Sequence, residues 1–435
     1  MAAHMHLMQM LIHSASTHTV LSWADPADRQ LAGLADFAYW QGMAKTLERG
    51  CFDAVFFADS PATHAVYKGS AEPSIEYGVS WPNHDPMPLI AVMAAATERL
   101  GFGVTLSTTG TTPYLATRRI TTLDHLSKGR VGWNIVTGFS AAEHAANGGG
   151  AQVPHDERYD MADEFMEICY RLWDGVPPEA ILRDAKGGKF ADPARVKRVD
   201  FSGKYLRCNA MPPVLPGPSG RPVLFQAGSS GRGMQFAVQH AEMVFAIQAH
   251  VEGMKKSAAG LRAATKAAGK TFDIPLLFVL QPIIGSTEAE ANARAETLRG
   301  RIPLDGVLAR LSGVLGTDLG AFDPDAPLDT IDSQASRGLL AATAAGADGH
   351  RVTLREAASQ WDLSVAIPQI IGTPEQVAAR IEMIWRDTGC AGFNLSPTTN
   401  PDSVDDFVNE VVPILQARGV YRREYTTRTL REHLQ

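Results

Sequence analysis

Several things this chain has little of narrow what it can be. It carries four cysteines, at positions 51, 169, 208 and 390, with no CxxC pair and no metal-ligand spacing. That excludes a disulfide-stapled scaffold or a zinc module, and fits the reduced, mostly buried thiols of a cytoplasmic protein. Basic residues are outnumbered, 40 against 47 acidic ones, for a net charge of -7. Nucleic acid and anionic membrane surfaces are therefore not expected as partners. No apolar run approaches the roughly 18 residues of a membrane span. The start, MAAHMHLMQMLIHS, lacks a basic leader and a small-residue cleavage site, and reads as a first strand rather than a signal peptide. GxSxG is missing, which removes support for serine-hydrolase chemistry. So are a P-loop and a GxGxxG with its ribose-binding acid, which removes the nicotinamide fingerprint. Among the 13 histidines there is no HExxH, and no metal site is expected.

What the chain does have is alternation. Eight apolar stretches read as strands: Leu7–His13, Phe52–Ala58, Gly101–Ser107, Val131–Thr137, Pro222–Ala227, Met243–Gln248, Ile274–Ile284 and Ala391–Leu395. Helical patterns lie between them, at Asp36–Gly50, Met87–Leu100, Pro113–Lys128 and Asp156–Trp173, with Ser403–Ala417 after the last strand. Eight strands with long intervening connections point to an α/β fold, a (β/α)8 TIM barrel rather than an open sheet. All of residues 1–435 would form this one domain. Two stretches break the alternation, 175–221 and 286–351, and are expected to be insertions. Long connections of this kind commonly cover a site, so the second is read as a lid.

The segment 128–165 concentrates polar groups where a barrel would hold a ligand. Val131–Thr137 is almost wholly apolar yet carries Asn134 and Thr137, and a buried strand carries such groups at a cost unless they find a partner. Gly148, Gly149 and Gly150 then form a loop, and the helix after Pro154 places His155 and Tyr159 on one face. In the segment Pro222–Gly233, PVLFQAGSSGRG, a strand runs through Gly228, Ser229, Ser230 and Gly231 into a helix. Glycines permit close approach, serines offer hydroxyls, and a helix start offers unpaired N–H groups, together a cradle for phosphate. Asp59 closes the second strand, and Thr105 shares a face with Ser107 on the third. Each of these also has an ordinary structural reading, as a cap, a tight turn or a satisfied core amide.

Taken together, these segments resemble the bacterial-luciferase-like flavin monooxygenases, in the branch holding nitrilotriacetate, EDTA, dibenzothiophene-sulfone and long-chain alkane monooxygenases. The likeness is carried by Phe56-Phe57-Ala58-Asp59, Thr105-Leu106-Ser107-Thr108, Gly132-Trp133-Asn134-Ile135-Val136-Thr137 and His155-Asp156-Glu157-Arg158-Tyr159. It continues through Gln226-Ala227-Gly228-Ser229-Ser230, Gly372-Thr373-Pro374-Glu375, Gly392-Phe393-Asn394-Leu395 and the tail around Tyr425 and Thr429-Leu430-Arg431-Glu432. The resemblance implies reduced FMN as cofactor, delivered by a separate NAD(P)H:flavin reductase. With O2 it would insert one oxygen atom into a small organic substrate. It further implies that Asp59, Thr105, Asn134, His155, Tyr159, Ser229 and Ser230 line the FMN site, with His155, Asn134 and Thr105 nearest the chemistry. Ser230 and Tyr159 would lie nearest the phosphate, and the protein would be a homodimer or homotetramer. A non-catalytic flavin-binding protein and an F420-type oxidoreductase on the same fold stay open as alternatives. The segment Tyr77–Asp85 is expected to bring Trp81 and His84 towards a substrate loop.

Overall fold

The computed structural model describes residues 4–138, 140–149, 153–228, 230–331, 344, 350–360, 363, 364 and 366–435. Its centre is a ring of parallel strands: β1 (His6–Leu11), β2 (Ala54–Phe57), β3 (Gly101–Ser107) and β4 (Val131–Val136) come first. Two hairpins follow, β5 (Ile181–Asp184) with β6 (Lys189–Ala191), and β7 (Val199–Ser202) with β8 (Arg207–Ala210). The ring resumes with β9 (Val223–Gln226), β10 (Met243–Ala246) and β11 (Leu276–Ile284), then β12 (Gln369–Gly372) and β13 (Gly392–Leu395). Strands pair in the order β1-β2-β3-β4-β9-β10-β11-β13, and β13 pairs back onto β1. The barrel is closed, and its eight strands are the eight expected from the sequence.

β12 was not anticipated. It pairs only with the second half of β11, Gln281–Ile284, after the first half has served the ring. Four residues are too few to show a period, although the helix Pro374–Thr388 behind it announces itself with a Thr373/Gln376 capping box. The stretch 175–221, expected to be an insertion, holds the two hairpins. Their strands are three or four residues long and mostly exposed, so no alternation of apolar residues betrays them. The expected helix Ser403–Ala417 is broken by a wide turn at Phe407–Val411 ahead of Pro413, whose missing N–H cannot continue the regular ladder. The expected helix Met87–Leu100 ends at Ala95.

Inward side chains fill the barrel with Met8, Met10, Phe56, Phe225, Phe245 and Val279. The Phe56 and Phe245 rings lie 4.3 Å apart. Room for Phe225 comes from Gly132 on the neighbouring strand, where a Cβ would sit 2.4 Å from the ring. One end of the barrel is closed by the C-terminal tail. Leu430 is fully buried among the interior residues. The Tyr421 and Tyr425 hydroxyls donate to the carbonyls of Cys51 and Phe52, just before β2, at 2.5 Å each. The C-terminal ends of the strands are left for a site. Over that end, the helix Leu304–Leu315 packs Val307, Leu311 and Leu315 into a second, smaller core with Leu319, Leu328 and Val352. No helix among the described residues is long and apolar enough to cross a membrane.

Candidate active site

A cavity of about 370 Å³ opens at the C-terminal ends of the strands. Asp59, Thr105, Asn134, His155, Tyr159 and Ser230, six of the seven residues expected from the sequence, line it. Ser229, the seventh, and Gly150 of the glycine loop lie outside the described residues.

β3 and β4 pair so that Thr105 faces Asn134 across the ladder. The Asn134 amide donates to Thr105 Oγ1 at 2.9 Å, which fixes its orientation. Its Oδ1 is left buried with no hydrogen-bond partner among the described residues. An orphaned buried acceptor is rare, and an N–H donor on a ligand would satisfy it.

Asp59, two residues past β2, accepts from Asn83 Nδ2 at 2.9 Å. Burial and, next, the neighbouring Asp85 carboxylate push its carboxyl up to about 7. The folded protein therefore holds this proton to a higher pH than the unfolded chain, which releases it near 3.8. The resulting stability is complete below about pH 4 and lost as pH rises through about 7. In flavin-free protein, Asp59→Asn should remove that slope. Thermal midpoints of wild type and variant should differ more at pH 8 than at pH 5, in the variant's favour. An unchanged difference would show that Asp59 does not titrate in this window.

Tyr159 and His155 lie on the first turns of the helix His155–Asp174, their rings edge to face at 5.3 Å. The Tyr159 hydroxyl meets Ser230 and Thr137. A Cβ on Gly228 or Gly233 would come within 2.9 or 2.8 Å of that hydroxyl, so both glycines keep space open around it. Ser230 caps the helix Gly231–His240, its Oγ accepting from Gly233 N–H at 3.0 Å. A helix start, a tyrosine hydroxyl, a serine and two glycines thus converge. Arg232, inside the same turn, is not part of this cradle, because Asp160 and Asp163 already hold it. His155 Nδ1 is 2.6 Å from the Asp156 carboxylate. With a proton on Nδ1 hydrogen-bonded to that carboxylate, Nε2 of a singly protonated ring is an acceptor.

Other cavity residues escaped the sequence reading. Asn394 on β13 lines the cavity with both side-chain polar atoms buried and, among the described residues, unpartnered. It carries the signal that marked Asn134, an amide inside an apolar strand. Arg310 is the lone cation of the helix LDGVLARLSGVL, an unusual guest on an otherwise apolar surface. His18 and His64 sit in polar loops, where nothing in the sequence singles them out. Trp81 and His84 do not line the cavity. Trp81 is 40% exposed, His84 packs 5.0 Å from the His13 ring, and it is Ser80 that reaches the cavity wall. Among the described residues no three metal-ligating side chains converge.

A closed barrel whose cavity lies at its strand C-termini, beside a glycine-flanked helix start, has the layout of a barrel enzyme. Residues 16–392 match the family described as luciferase-like monooxygenase. The chain is 38% identical over 415 residues to a dimethyl-sulfide monooxygenase of Hyphomicrobium sulfonivorans, covering 95% of this chain and 86% of that one. It is 37% identical over 439 residues to a dibenzothiophene-sulfone monooxygenase of Rhodococcus erythropolis, covering 99% and 96%. Among solved structures, a riboflavin lyase bound to modified FMN and riboflavin superposes with a TM-score of 0.92 at 34% identity, covering 99% and 95%. The chain belongs to the luciferase-like monooxygenase family.

Proposed function

We propose that the protein is a two-component flavin monooxygenase, using reduced FMN from a separate NAD(P)H:flavin reductase and O2 to oxygenate a small organic substrate. The observation that carries this is the cradle of Ser230, Tyr159, Gly228 and Gly233 beside the orphaned Asn134 carbonyl oxygen. The donor set suits FMN. Hydroxyls and helix N–H groups match a phosphate, and an unpartnered amide oxygen matches a ring N–H. Reduced FMN, when bound, supplies the electron pair with which O2 is split between substrate and water. Ser230, Tyr159 and the first N–H groups of Gly231–His240 hold the phosphate. Thr105 and Asn134 orient the ring from the barrel wall, with Asp59 at the rim. His155 holds and returns a proton through Nε2, and the helix Leu304–Leu315 with its small core acts as the lid that excludes water.

Ser230→Ala tests the phosphate end. FMN binding should weaken by roughly 1–3 kcal/mol, the worth of a hydrogen bond to a charged group. Riboflavin, which has no phosphate, should be nearly indifferent. The lost cap lowers stability by about 1 kcal/mol in either case, so affinities must be compared on folded protein. Equal losses for both flavins would remove Ser230 from the phosphate site.

A further inference from the structure

Among the described residues, Arg310 is a charge without a counter-charge. Its side chain is more than nine-tenths buried and lines the cavity. Among the described residues no carboxylate pairs with it. Its one hydrogen bond among the described residues is donated from Nη2 to His18 Nδ1 at 3.0 Å, and its Nε has no acceptor there. Burial alone lowers its affinity for its proton, to about 10, still far above neutrality. A guanidinium held dry and unpaired is costly, and the cost is recovered when an anion arrives.

The surroundings point the same way. Because His18 Nδ1 accepts from Arg310, the proton of its neutral ring sits on Nε2, and that N–H has no partner. The Ser60 hydroxyl, also on the cavity wall, is buried and unpartnered. His64 completes the group, with Nδ1 unpartnered and its ring packed onto the Arg310 helix at Gly313, where a Cβ would sit 2.2 Å away. His18 and His64 are held neutral by burial and then by Arg310, at about 3 and about 4, so Arg310 is the only formal charge of the group. Several N–H and O–H groups lack acceptors, and what is missing is one anionic acceptor.

This cluster is separate from the phosphate cradle. Ser230 follows β9, whereas His18 follows β1 and Ser60 and His64 follow β2. In the ring order β1 lies four strands from β9 in either direction. We propose that Arg310, His18 and Ser60 form an anion subsite for the substrate, and that the substrate carries an acidic head group, a carboxylate or a sulfonate. The proposal rests on reading the cavity as a shared flavin and substrate site.

The test uses three probes of one length, hexanoate, hexane-1-sulfonate and hexan-1-ol, titrated calorimetrically into FMN-loaded wild type, Arg310→Met and Arg310→Lys. Wild type should bind at least one of the acids about tenfold or more tightly than the alcohol. Arg310→Met should erase that preference and Arg310→Lys keep part of it. FMN and riboflavin affinities of Arg310→Met should stay within about twofold of wild type, since the phosphate lies elsewhere. Without any probe, the melting temperature of Arg310→Met should equal or exceed that of wild type, because an unpaired buried charge has been removed. Equal binding of acids and alcohol by wild type overturns the proposal, as does an acid preference unmoved in Arg310→Met. A loss of FMN but not riboflavin binding in Arg310→Met also overturns it, by making Arg310 a phosphate ligand. A wild type that ignores FMN yet keeps an Arg310-dependent acid preference, measured on flavin-free protein, sinks the flavin reading and leaves the subsite standing.

Discussion

Arg422→Met is expected to destabilise the protein by about 3–5 kcal/mol, the cost of stranding one partner of a buried ion pair. Arg422 reaches from the C-terminal tail to Asp53, which is fully buried just before β2. Asp53 Oδ1 also lies 3.1 Å from His6 Nδ1, and Oδ2 accepts from Leu7 N–H at 2.9 Å. One carboxylate thus ties together the tail and the entries of two barrel strands. Burial by itself would raise its affinity for a proton. Arg422 and then His6 outweigh this and hold it at about 2, below its usual 3.8. The pair's stability is therefore present above about pH 4 and lost as pH falls through about 2. Urea midpoints for wild type and Arg422→Met should differ by a constant amount from pH 5 to 8 and converge towards pH 2. Asp53→Asn/Arg422→Met should recover part of the loss, since it leaves no buried charge unpaired. A loss below about 1 kcal/mol would mean the pair behaves as a surface contact.

The barrel was legible because its strands are buried on both faces and read as continuous apolar runs, each long enough to stand out between helical patterns. FDAVFFA before Asp59 and GFGVTLS before Thr108 show this most clearly. Asn134 was legible for the complementary reason, as a polar group that such a run has no packing use for. What escaped depends on contacts distant in sequence. β12 gains its identity only from the outer half of β11, and Asp53 looks like an ordinary loop acid until the tail, more than 360 residues later, brings Arg422 to it. Arg310 lay in an insertion whose packing the sequence pattern did not disclose, although a lone cation on an apolar helix was visible. The proposed roles of the cavity residues come from the family resemblance, and the structure adds which atoms lack partners among the described residues.

His155→Ala and Tyr159→Phe should separate two functions that share one helix face. Under the proposed function, Tyr159 serves the phosphate, because its hydroxyl meets Ser230 in a space kept open by Gly228 and Gly233. Removing the hydroxyl should raise the FMN dissociation constant about tenfold or more, tenfold being the lower end of the range for a charged hydrogen bond, with coupling unchanged once flavin saturates. His155 instead presents Nε2, its Nδ1 being held by Asp156 at 2.6 Å. A ring fixed in this way contributes where charge and proton position change during reaction, and the loss of one such preorganised group costs on the order of 100-fold in rate. His155→Ala should therefore lower product formation by about that factor while binding FMN near normally, with the consumed oxygen leaving as hydrogen peroxide. Asp156→Asn, which weakens the hold on Nδ1 and leaves the imidazole in place, should fall between wild type and His155→Ala. The measurement is product and hydrogen peroxide in parallel, per reduced FMN consumed, at saturating flavin. If both His155→Ala and Tyr159→Phe stay fully coupled and bind FMN as wild type does, the pair only packs the helix against the barrel. If Tyr159→Phe uncouples and His155→Ala loses flavin, the two assignments are reversed.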